Sequence, residues 1–157
     1  MIFLKACVGA GNRKVGRIPT FSLPSRLTCP GASTWCIQHC YARRFERLRT
    51  LCRLGYSRNL VLTWDTERFV STMLAQIPPD LSCFRIHVSG DYYDAPYCQA
   101  WQRICLARPC VRFYAYTLCR DASNVKVSSF LTTLRHFLRA HPNITFPFQF
   151  ALICKAG

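Results

Sequence analysis

Phe84-Arg-Ile-His-Val-Ser-Gly-Asp91 is the stretch that decides how this chain is organised. Its aromatic and β-branched opening reads as a strand, and Ser89-Gly90-Asp91 ends that strand with turn chemistry. Asp94 then stands before Ala95-Pro96, an N-cap followed by a proline suited to the first helical turn. Residues 95–107 carry Tyr97, Trp101, Ile104 and Cys105 at helical spacing. Strand, loop and helix therefore follow one another directly.

The same alternation extends in both directions. Downstream, residues 111–117 read as a strand and residues 144–152 as another. Between them lies a helix over 123–139 that turns Val127, Phe130, Leu131, Leu134 and Leu138 inward. Upstream, residues 20–23 form a short strand stopped by Pro24, and residues 25–40 a loop punctuated by Pro30 and Gly31. Residues 41–54 are expected to be one helix, with Phe45, Leu48 and Cys52 on one face and Gly55 as its C-cap. Asp65 caps a further helix that runs to Ile77, striped with Phe69, Val70, Met73 and Leu74 and ended by Pro78-Pro79. Residues 1–18, glycine-rich and basic, read as an irregular lead-in. The fold class is α/β. Parallel βα units form a partial (β/α) barrel or an open sheet of about four strands, with helices outside, in one domain over residues 1–157.

Composition bounds the function. Half of the 157 residues are hydrophobic, enough to bury a core. No apolar run is long enough to span a bilayer; residues 144–153 come nearest and are broken by Pro147 and Gln149. The N-terminal apolar stretch is too short for a secretory signal, so a cytoplasmic location is expected. The net charge of +14 comes from 21 Lys and Arg against 7 Asp and Glu, and only four of the bases are lysine. Such a surface attracts nucleic acid non-specifically, and Arg43, Arg47 and Arg53 on the first long helix are the candidates for contact. The bland alternative is counter-charge for an anionic site.

Eleven cysteines are present. In a reducing compartment, clustered cysteines point to metal or catalysis, and scattered ones to small core residues. The cluster is Cys29-Pro-Gly-Ala-Ser-Thr-Trp-Cys36-Ile-Gln-His-Cys40, spaced C-x6-C-x3-C, in the loop after an early strand. Thiolates are soft ligands for iron–sulfur clusters and zinc. Three ligands leave one position of a [4Fe-4S] cubane open, whereas a structural zinc site closes with four. His39 is available to complete a zinc site, and three buried structural cysteines are the plain alternative. A helix starting near Cys40 turns its positive end toward the thiols, and Arg26, Arg43 or Arg44 would stabilise thiolate by folding over them. Trp35 reads as a shield for the cluster or as a loop anchor.

Several words of this chain, in order, resemble a known family. They are Pro19-Thr-Phe-Ser-Leu-Pro24, Thr28-Cys-Pro-Gly31, Cys40-Tyr-Ala42, Phe84 to Asp91, and Arg112-Phe-Tyr-Ala-Tyr-Thr117. Together they resemble the mycobacteriophage gene product eighty-eight family of phage and mobile-element proteins, which is similar to radical S-adenosylmethionine enzymes. That resemblance implies a radical-enzyme-like domain in a bacterial host cell, with Cys29, Cys36 and Cys40 as cluster ligands and an electron donor as partner. It implies too that Ser89, Gly90 and Asp91 receive the ammonium of bound S-adenosylmethionine, as a Gly-Gly-Glu motif does in such enzymes, with His39 beside the cofactor. The cysteine gaps are longer than the C-x3-C-x2-C of those enzymes. The strands also fall short of a six-stranded barrel, so the expectation is a minimal or truncated member whose cysteine-rich tail begins near Cys154.

Other residues carry weaker signals. His87 is expected mid-strand, facing away from Ile86 and Val88, as a satisfied buried histidine before it is anything else. Tyr114, Tyr116, Thr117 and Arg120 read as ordinary alternation or as the lining of a pocket. Cys7, Cys52, Cys98, Cys105 and Cys119 are expected to be core or incidental. Cys83 and Cys110 precede strands, at the end away from the cluster.

Overall fold

The computed structural model describes residues 5–11 and 16–117. In chain order the elements are β1 (Val8–Gly9), β2 (Thr20–Phe21), α1 (Thr34–Gln38), α2 (Tyr41–Leu48), α3 (Thr50–Thr63), α4 (Thr66–Gln76), β3 (Cys83–Ile86), α5 (Ala95–Leu106) and β4 (Arg112–Ala115). The expected helix over 123–139, the strand over 144–152, and Cys119, Arg120 and Cys154 lie outside the described residues.

The sheet is open, with strand order β1-β2-β3-β4. Strands β2, β3 and β4 are parallel, Phe21 pairing with Ile86 and Ile86 with Ala115, while β1 runs antiparallel to β2. The protein is thus mixed α/β around a four-stranded open sheet, and the described strands do not close into a barrel. The lead-in is not wholly irregular. Val8 and Gly9 pair with Phe21 and Thr20, filling the edge that β2 would otherwise leave open.

One helix from each crossover, α4 and α5, packs on the same face of the sheet. Phe21 on β2 meets Phe69 of α4 at 5.3 Å and Trp101 of α5 at 5.5 Å, ring centre to ring centre. Trp101 also meets Phe84 and Phe113 from β3 and β4. Phe21, Phe69, Phe84, Tyr97, Trp101 and Phe113 are all fully buried, and this aromatic cluster is the centre of the core. The opposite face carries Cys83, Arg85, Arg112 and Tyr114, none of them fully buried.

The helix starts at Asp65 and Asp94 form as expected. Each aspartate accepts a bond from the backbone N–H three residues on, Arg68 or Tyr97. Tyr97, Trp101, Ile104 and Cys105 point inward on α5, and Phe69, Val70 and Met73 on α4.

Several expectations change. The helix expected over 41–54 is two helices, because Arg49 adopts an extended conformation between α2 and α3. Gly55 is no cap: α3 continues through it to Thr63, and a Cβ there would sit 2.5 Å from Cys7 Sγ. Asn59, one turn further on, holds the Cys7 backbone through both its N–H and its carbonyl, so β1 packs directly on this helix. Phe45 and Leu48 do not form a buried face, being 39% and 75% exposed. Another change concerns β3, which ends at Ile86. His87 has φ +67° and turns the chain sharply instead of continuing the strand. Cys83 is also the first residue of that strand, not a residue before it.

Candidate metal centre

The carboxyl ends of β2 and β3 are neighbours in the sheet, and the loops leaving them converge. A cavity of about 200 Å³ opens there, lined by Cys29, Cys36 and Cys40 on one side and by Arg85, His87, Ser89, Gly90 and Asp91 on the other. Tyr116 and Thr117, after β4, complete its wall. Parallel sheets place their sites at this edge because the loops there meet from adjacent strands.

Each thiol has a definite support. Cys29 lies in the turn after β2, where Ala32 N–H bonds back to its carbonyl. Cys36 lies in α1, whose N-terminus is capped by Ser33 Oγ bonding to the Cys36 N–H. Cys40 is the N-cap residue of α2, and its side chain makes no capping bond. Its thiol is left at the positive end of that helix.

Burial pushes the Cys29 thiol up to about 11; the nearby Asp91, Cys40 and Cys36 push the same way, while the Arg26 backbone amide opposes by hydrogen-bonding to the sulfur. Cys36 is raised as well, by burial, Cys40 and Asp91. The three thiols and Asp91 therefore share one electrostatic neighbourhood. Left alone, Cys29 stays protonated at neutral pH. A cation in the cavity reverses that balance.

The donor set fits a thiophilic group such as an iron–sulfur cluster. It offers three soft sulfurs in one cavity, a backbone N–H aimed at one of them and, among the described residues, no fourth cysteine in the wall. Among the described residues no group of three or more His, Cys, Asp or Glu side chains is arranged so that it could hold a metal ion, so the three thiols line the cavity without forming a ligand set.

The expected cofactor residues separate. Ser89, Gly90 and Asp91 line the cavity, but His39 does not; it stacks on Trp35 at 4.7 Å and is exposed. Trp35 is 69% exposed and shields nothing. A five-residue helix cannot bury every side, and α1 turns Cys36 to the cavity and its neighbour away. Gly90 has φ +82°, and a Cβ there would lie 2.6 Å from both Leu23 Cβ and Thr28 Oγ1. Only glycine fits. Asp91 is pinned by its N–H to the Thr28 carbonyl, and its Oδ1 accepts from Tyr92 N–H.

One residue was missed from sequence. Glu46 on α2 accepts from the Ser25 backbone N–H at 2.9 Å, from Ser25 Oγ at 3.1 Å and from Ser89 Oγ at 2.6 Å. It ties the helix that begins at Cys40 to both strand-end loops. The available signal was its isolation, a single acid among Arg43, Arg44, Arg47 and Arg49. Tyr41 adds a second tie, donating its hydroxyl to the Val88 carbonyl at 2.6 Å.

His87 is fully buried, and burial, helped by Arg85, lowers it to about 3. Its Nε2 bonds to the Tyr97 hydroxyl at 2.7 Å, and its ring meets Tyr92 edge-on. Its Nδ1 has no partner among the described residues. A left-handed, neutral, half-satisfied histidine in the cavity wall is a strained feature of this edge of the sheet.

A family model described as Gene product 88 matches residues 5–143. The chain belongs to the Gene product 88 family. Among curated relatives, the Gene 88 protein of Mycobacterium phage L5 is 31% identical over 150 residues, 85% of this chain and 61% of the relative. The Gene 88 protein of Mycobacterium phage D29 is 30% identical over the same shares. This Gene product 88 chain spans about three fifths of the length of those phage proteins. No solved structure matches it. The matched region takes in β1 through β4 and the whole cavity wall.

Proposed function

We propose that the cavity holds a [4Fe-4S] cluster on Cys29, Cys36 and Cys40, and that the protein is a radical S-adenosylmethionine-like enzyme working in the phage-infected host cytoplasm. The observation that supports this most is the sharing of one cavity by the three thiols and Ser89-Gly90-Asp91, contributed by adjacent parallel strands. Held on these three thiolates, such a cluster would supply one-electron chemistry toward a sulfonium ligand, with the electron coming from an external donor.

The chain's own residues divide the remaining work. Cys29, Cys36 and Cys40 give up their protons and hold iron, aided by the α2 terminus and the Arg26 amide. The Gly90 backbone approaches where no side chain fits, and the Asp91 carboxylate presents charge suited to an ammonium group. Glu46 keeps Ser89 and the Cys40 helix in register. Tyr116 and Thr117 close the side of the cavity nearest β4.

The test is anaerobic purification with iron and sulfide analysis, then electron paramagnetic resonance with and without S-adenosylmethionine. Iron, sulfide, broad visible absorption and a spectrum changed by the cofactor are expected. Replacing any of the three cysteines by serine should abolish the signal. Zinc without sulfide sinks the cluster; a cluster indifferent to the cofactor sinks the enzymatic reading.

A further inference from the structure

We infer that the rim beside the cysteine cavity binds single-stranded nucleic acid, with Arg26, Arg43 and Arg47 along its phosphates and the Trp35–His39 stack receiving a base. This rests on the proposed cluster only in naming the strand as that site's substrate. The binding itself stands on separate observations.

The first is charge without counter-charge. From residue 26 to residue 58 the chain carries seven arginines and one acid, Glu46. That acid is turned onto Ser25 and Ser89. Arg43 and Arg47 lie one turn apart on α2, on the same side of the helix. Arg43 is lowered by partial burial and then by the positive charges of Arg26 and Arg47. The Arg103–Glu67 ion pair lies on other helices, α5 and α4. Like charges held one turn apart, with the helix's single acid turned onto Ser25 and Ser89, match a polyanion.

The second observation is an exposed aromatic pair on α1 and its C-cap, directly before α2 in the chain. Trp35 and His39 each sit one residue before a cavity thiol, Cys36 and Cys40. Their rings are stacked 4.7 Å apart with 21° between planes, and both residues are exposed. Tyr41 follows Cys40, is 63% exposed, and lines the cavity. Flat faces offered to solvent beside a cation row are what unpaired bases stack on, whereas a duplex presents only phosphates to such a surface. Arg43 follows Cys40, Tyr41 and Ala42, which line the cavity, so the row starts beside its mouth.

The experiment is fluorescence anisotropy of the full chain with a labelled single-stranded oligonucleotide, the matching duplex, and vesicles of anionic phospholipid. Three phosphate contacts give a log–log salt slope of about −2, or about 16-fold weaker binding between 50 and 200 mM salt. Trp35→Ala should weaken single-strand binding about fivefold or more at unchanged slope. Arg43→Gln with Arg47→Gln should bring the slope to about −0.7. All three positions are on the surface, and circular dichroism checks that the variants fold.

No binding at 50 mM salt overturns the inference, as does equal binding of single strand and duplex with Trp35→Ala silent. Capture by vesicles without oligonucleotide binding overturns it in favour of a lipid surface. Iron and sulfide measured on the same preparations keep the two ideas apart. Cluster without strand binding refutes the rim, and strand binding without cluster refutes the cavity.

Discussion

Removing the Glu46 carboxylate should loosen the cysteine cavity as well as destabilise the fold, and the structure sets the size of both effects. Glu46→Ala deletes the acceptor of three hydrogen bonds. Ser89 is 3% exposed, so its hydroxyl is left without water or partner; an orphaned buried donor costs about 1–3 kcal/mol. Ser25 is half-buried, and solvent can replace part of what its N–H and hydroxyl lose. The expected total is about 2–4 kcal/mol. Glu46→Gln keeps an oxygen for Ser25 N–H and Ser89 Oγ, and its amide can donate to Ser25 Oγ. It should cost only about 1 kcal/mol, the difference between charge-assisted and neutral bonds. Urea unfolding of the metal-free chain reads the stabilities at constant slope. Iodoacetamide labelling with mass spectrometry reads the cavity: Cys29 and Cys40 should label faster in Glu46→Ala than in Glu46→Gln. If alanine costs less than about 0.5 kcal/mol, or glutamine costs as much as alanine, the carboxylate is not the tie described.

Four further outcomes are expected. Gly55→Ala, a change that ordinarily stabilises a helix by about 1 kcal/mol, should destabilise this one, since the new methyl meets Cys7 Sγ; Cys7→Ala in the same chain should recover much of the loss in thermal melts. Gly90→Ala combines a left-handed backbone with two 2.6 Å contacts and should cost more than about 3 kcal/mol, seen as loss of the cooperative urea transition. His87 is held neutral down to about pH 3 against an ordinary value of 6.5, so the unfolded chain takes up its proton first. The stability contributed by its neutral form is fully present above pH 6.5 and declines as pH falls toward 3, by about 1.4 kcal/mol per pH unit at most. A urea midpoint that follows the same pH curve in His87→Asn would refute this. The Cys29 thiol, raised to about 11, should be alkylated slowly at pH 8, and metal uptake should release protons and tighten with rising pH, which titration in weak buffer measures.

How much was legible in the amino-acid order differs from element to element. The helix starts at Asp65 and Asp94 were readable because a cap is a contact over three residues. The inward faces of α4 and α5 followed from a 3.6-residue period that does not depend on distant partners. The placement of Cys29 after a strand was readable too, because Pro24, Pro30 and Gly31 punctuate the chain locally, but the expected loop over 25–40 contains the helix α1, Thr34–Gln38.

What remained was set by groups far apart in sequence. Gly55 looks like a cap until Cys7 is laid across it, 48 residues away in the chain. The left-handed turn at His87 is held by burial against Tyr92 and Tyr97 and by the Ser89 bond to Leu23, none of which a strand pattern encodes. Glu46 acquires its role from Ser25 and Ser89, on two different loops, and the pairing of β1 comes from an open edge that exists only once β2 is in the sheet. By itself the sequence determined the local grammar of strands, helix caps and a cysteine-bearing loop, since those depend on neighbours within a turn or two. Only the tertiary structure decided which thiols, carboxylates and glycines face one another across the parallel strands, because long-range packing and buried hydrogen bonds, not local preference, select those encounters.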